Sequence, residues 1–119
     1  MSLSKPIVAV LNTSPGSVAD DYVRLGELAG LGKVLDRSKT TILKDNISWH
    51  LPFPGANTMP WQLEGCIKAL KSQGMRDLVA VHNNTVVTDP YVGGRLLKLT
   101  PVYEKYGIPE RYNNDPRDL

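Results

Sequence analysis

Two stretches of this chain are apolar without a break, Ile7-Val8-Ala9-Val10-Leu11 and Leu78-Val79-Ala80-Val81, and they constrain the fold most. A strand with one wet face alternates apolar and polar residues; a continuous run marks a strand buried on both faces, as in parallel sheets. Parallel strands need crossover connections, most often helices. Helical patterns stand where those crossovers belong. After Ser17, residues Val18, Tyr22, Leu25 and Ala29 share one face, Asp20 is spaced for a capping box, and Gly30 and Gly32 end the pattern. Pro60 suits a first helical turn, Leu63, Cys66, Ile67 and Leu70 form a stripe behind it, and Gly74 closes it.

Thr40-Thr41-Ile42-Leu43-Lys44 reads as a further strand, and Ile108 to Tyr112 as a short fourth. Between Tyr91 and Tyr106 the helical pattern is broken by Gly93, Gly94 and Pro101, so Thr100-Pro101 reads as the start of a second short helix. This succession predicts an α/β domain over residues 5–112. The expected form is a three-layer Rossmann-like sandwich with a mainly parallel sheet of about four strands. Residues 113–119 are expected to form a polar tail without packing. Sheets average roughly five or six strands. The short strand count therefore predicts either a fragment of a longer architecture or a minimal member that completes its sheet by oligomerising.

Composition excludes several classes. Lys and Arg total 14 against 12 acidic residues, a net charge of +2, too balanced to attract nucleic acid or an anionic membrane by field alone. The single Cys66 makes no internal disulfide and holds no iron–sulfur cluster, and no cofactor is indicated. Without an apolar run near the roughly 20 residues of a membrane helix, or a signal-like start, the expected location is the cytoplasm.

In open parallel sheets ligands bind beyond the carboxyl ends of the strands. Those ends are polar throughout: Asn12-Thr13-Ser14, Lys44-Asp45-Asn46, His82-Asn83-Asn84-Thr85 and Asn113-Asn114-Asp115. Asn, Ser and Asp also serve simply as turn formers, which explains the first and last clusters better than binding does. Lys44 and His82 are not turn residues, and they carry the functional reading. No G-x-G-x-x-G follows the first run and no P-loop is present. His50 and His82 lack the close spacing of zinc ligands, so a metal site from Asp45, His50 and His82 is a minor alternative. Cys66 lies on an apolar stripe and reads as a packed thiol. The loop from Trp49 to Trp61 carries Trp49, His50, Phe53 and Trp61, either as a lid over the sheet edge or as a docking surface.

Ile42-Leu43-Lys44-Asp45-Asn46, Asn57-Thr58-Met59-Pro60 with the helix behind it, and Leu78-Val79-Ala80-Val81-His82-Asn83 resemble the uncharacterised DUF362 family. In that family a strand ends in a Lys-Pro-Asn-like turn, a Thr-Thr-x-Pro-like loop leads into a helix, and the next strand ends in a Gly-Asp-like pair. Lys44 and Asn46 match with Asp45 in place of the proline, Thr58 and Pro60 match, and His82-Asn83 replaces the Gly-Asp pair. The resemblance implies no established activity, and the cysteine motifs of some members are absent here.

The expectation is a domain that binds a small anionic or carboxylate-bearing ligand at the sheet edge. Lys44 supplies the charge, and Asn46, Asn83, Asn12 and Thr58 orient the ligand. If the protein is an enzyme, Asp45 or His82 is the acid/base. The competing expectation is a non-catalytic interaction or oligomerisation module that docks through the aromatic loop.

Overall fold

The computed structural model describes residues 5–118. Helix α1 (Val18–Leu28) runs into the short α2 (Leu31–Val34) through Gly30, whose φ of 76° is a left-handed conformation that glycine adopts freely. Strand β1 (Thr41–Leu43) leads through a long loop into α3 (Pro60–Ser72), and β2 (Leu78–His82) follows. Helices α4 (Pro90–Leu96) and α5 (Thr100–Tyr106) precede β3 (Glu110–Tyr112). The sheet is parallel, ordered β1-β2-β3, with Leu43 opposite Ala80 and Ala80 opposite Glu110.

The α/β class and the parallel pairing therefore stand, but the sheet has three strands among the described residues. The missing one is the first. Residues 7–11 join no ladder, and Val8 and Val10 are 83% and 86% exposed. Apolarity records what a segment gains by burial; it does not supply the neighbouring edge that burial requires.

Layering also differs from a three-layer sandwich. Side chains alternate across a strand, so Leu43, Leu78, Ala80 and His82 share one face of the sheet. That face is buried against Leu63, Ile67 and Leu70 of α3 and Tyr103 of α5. Right-handed crossovers between strands in this order place both helices on one side, in accord with the burial. On the opposite face Ile42 and Arg111 are exposed and Val79 and Val81 are half-buried. No helix among the described residues is long and apolar enough to cross a membrane.

Helix α1 packs on α3 rather than on the sheet, and the contact is close at Gly65. A methyl group there would lie 2.6 Å from Tyr22 ring carbons. Gly65→Ala is expected to lower stability by about 1–2 kcal/mol, because overpacking outweighs the gain in helix propensity. Urea unfolding measures it; an unchanged or raised midpoint would contradict the close fit. The capping box expected at Ser17 and Asp20 is absent. Ser17 Oγ instead donates to Asp21 Oδ2 at 2.6 Å.

Residues 113–118 are mostly exposed, as a polar tail would be, and are tied to the sheet by hydrogen bonds. The Asn113 amide donates to the His82 carbonyl at 3.0 Å, and Asp118 accepts from the Tyr112 amide and from Arg111.

Candidate functional site

The carboxyl ends of β1 and β2 meet at a cavity of about 290 Å³ whose lining includes Lys44, Asp45, Asn46, Ser48, His82, Asn83 and Thr85. That volume lies at the lower end of the range for ligand clefts, which starts near 300 Å³. Parallel pairing produces the convergence: Leu43 is opposite Ala80, so both chains leave the sheet on the same side.

Beneath the cavity is a buried charged cluster. The His82 ring holds Asp45 Oδ1 through Nδ1 at 3.1 Å and Glu110 Oε1 through Nε2 at 3.1 Å. Tyr103 donates its hydroxyl to the other Asp45 oxygen at 2.9 Å. Burial pulls the His82 pKa down, but the two carboxylates outweigh it and hold the pKa near 9, so the ring is an imidazolium at neutral pH. Both of its N–H groups then have acceptors, and no buried side-chain polar atom among the described residues lacks a partner. Burial and the neighbouring Asp45 charge push the Tyr103 phenol far upward, which keeps it a neutral donor. Tyr103 meets the imidazole edge-on at 5.7 Å, and Tyr112 covers it at 5.0 Å with Tyr91 stacked behind at 3.9 Å.

The loops around the cavity are tied by their own polar side chains. Thr58 is turned into the loop: its hydroxyl accepts from the Asn46 amide at 2.9 Å, and its amide donates to the Asn46 carbonyl at 2.8 Å. The Asn46 side chain donates to Ser48 and to the Ala56 carbonyl. Buried Asn57 accepts from the Ser48 and Trp49 amides and donates to the Leu51 carbonyl. Thr88 donates to the Ser48 carbonyl at 3.0 Å, joining this loop to the one after β2. Gly93 in α4 permits the approach, since a Cβ there would meet Ile47 at 2.5 Å.

Lys44, Asp45, Asn46, His82 and Asn83 are thus brought together on one cavity, and Thr58, outside its lining, is hydrogen-bonded to Asn46 and orders the loop beside it; Asn12 is exposed on the unpaired N-terminal run and does not line the cavity. The acid/base candidates are also more constrained than expected, because both His82 nitrogens and both Asp45 oxygens are engaged. His50 is not joined to His82. Its Nε2 accepts the Asp89 amide at 3.1 Å, and no group of three or more metal-ligating side chains occurs among the described residues. Cys66 is half-buried against the core, and burial raises its thiol pKa. The aromatic loop forms no lid, with Trp49 59% exposed and Leu51 and Phe53 also outward.

Sequence reasoning missed Glu110, Tyr103 and Asn57. The first had a signal: a strand over 108–112 paired parallel to β2 puts a carboxylate within reach of the His82 face. Comparison of the chain with protein-family models, with curated proteins and with solved structures gives no match.

Proposed function

We propose that the cavity at the carboxyl ends of β1 and β2 binds a small polar molecule bearing one anionic group, a carboxylate or a phosphate. The observation that carries this reading is the convergence of Lys44, Asn83, Ser48 and Thr85 on one cavity above a hydrogen-bonded charged floor. Lys44 is exposed and its ammonium rests on the main-chain carbonyl of Asp45, so an anion can recruit it without breaking an ion pair. The imidazolium is already matched by carboxylates and acts as a fixed support. A small molecule in the cytoplasm remains the proposed setting, supported by the single cysteine and the balanced charge. Membership of the DUF362 family is likewise a proposal. Its support is that the matching Lys44–Asn46 and Thr58–Pro60 segments are hydrogen-bonded to each other.

Calorimetric titration with acetate, succinate and inorganic phosphate tests the reading. At least one should bind, and Lys44→Ala should weaken it about tenfold, as expected for one charge-assisted contact of roughly 1.5 kcal/mol. Binding unchanged in Lys44→Ala would overturn it. A second reading, an interaction module docking through loop 49–61, is favoured by the outward Trp49, Leu51 and Phe53.

A further inference from the structure

The unpaired apolar run and the open edge of the sheet belong together. Among the described residues strand β1 pairs with β2 alone. The Thr41 amide is taken by the Asp77 carbonyl, so the alternating ladder points the Ile42 amide and carbonyl away from β2, toward an empty flank. Ile42 is 63% exposed, and Thr41–Leu43 carries no charged residue of the kind that guards natural edges.

Helix α1 marks what that flank is shaped for. It lies against α3, with Tyr22 on Gly65 and Lys68 paired with Asp20. In a right-handed βαβ unit the strand preceding such a helix sits one place outward from β1. The segment preceding α1 is residues 7–11, whose five apolar side chains suit a strand buried on both faces. Among the described residues that run makes no backbone hydrogen bond and the β1 edge has no partner, though only residues 12–17 separate the run from α1. Both halves of one strand pairing are therefore exposed in the same molecule, the arrangement that exchange between copies satisfies.

We propose that residues 7–11 of one copy add to the β1 edge of a second copy, and the reverse, closing a twofold dimer by strand exchange. Each exchange pairs the Ile42 backbone and places alternate side chains of the run on the helix-covered face of the sheet. The occupant is a second copy because the run and the flank it complements are carried by the same chain, and a twofold dimer leaves neither unpaired.

Light scattering coupled to size exclusion, over a dilution series, tests this with three chains: native, Ile42→Lys and Val10→Asp. Both substituted positions are solvent-facing in the single chain, so the variants should fold, which far-ultraviolet circular dichroism checks. The expected result is a concentration-dependent native dimer whose dissociation constant rises at least tenfold in each variant. A native chain that is monomeric up to its solubility limit would overturn the proposal. In that case amide exchange reads whether residues 7–11 are protected on their own edge. A dimer that survives both substitutions and is lost in Trp49→Ala would also overturn it, in favour of docking through the aromatic loop.

Discussion

Replacing His82 with alanine is expected to lower the unfolding free energy by about 3–5 kcal/mol, the usual cost of removing one member of a buried ionic group. The substitution leaves the buried Asp45 and the half-buried Glu110 carboxylates without their shared cation, and Asp45 keeps only the Tyr103 hydroxyl. It also opens a space between Tyr103 and Tyr112, which the imidazole now fills. Domains of this size are stable by roughly 5–15 kcal/mol, so the variant should lie near the threshold of folding. Equilibrium urea unfolding at pH 7 measures the change. A loss below about 1 kcal/mol would show that the cluster is not held as a unit.

The second large effect is on pH. A histidine in an unfolded chain titrates near 6.5, whereas His82 in the fold titrates near 9. Below pH 6.5 both states carry the proton and the contribution of the cluster is complete. Between pH 6.5 and 9 the native state holds a proton that the unfolded chain has released, so stability falls as pH rises. Above pH 9 the imidazole is neutral in both states, two carboxylates face each other across it, and the contribution is gone. The drop is on the order of 3 kcal/mol. Urea midpoints of the native protein and of His82→Gln at pH 6, 8 and 9.5 isolate it, since other ionisations are common to both. A native curve parallel to that of His82→Gln would contradict the charged cluster. The imidazole ring protons should also titrate near 9 by magnetic resonance, not near 6.5.

Much of the scaffold was readable from residue patterns, because the signals were local. Pro60, Gly74 and the stripe from Leu63 to Leu70 mark α3; Thr100-Pro101 marks α5; the apolar β-branched stretches mark β1 and β2. What failed was non-local. Residues 7–11 carry a stronger strand signal than Glu110–Tyr112, yet the weaker segment is the paired one, because β2 offers it an edge. Likewise the unbroken apolarity of Leu78 to Val81 suggests two covered faces, while only the side bearing Leu78 and Ala80 is fully packed. The site was legible in its strand-end part, since topology alone brings Lys44, Asp45, His82 and Asn83 to one edge. Its floor was not: Tyr103 reads as an ordinary aromatic on a helix, and only tertiary contact aims its hydroxyl at Asp45. Thr58 and Asn57 illustrate the converse, polar side chains whose work is to order the loop.

The central claim is that a small anion occupies the cavity above this cluster and is held by Lys44. The most direct measurement is the amide spectrum of the nitrogen-15-labelled protein, titrated with succinate and with inorganic phosphate. Saturable shifts confined to Lys44–Ser48 and Asn83–Thr85, and abolished in Lys44→Ala, are the predicted result. Shifts that are absent for both anions, that spread over the whole surface, or that persist in Lys44→Ala would contradict it.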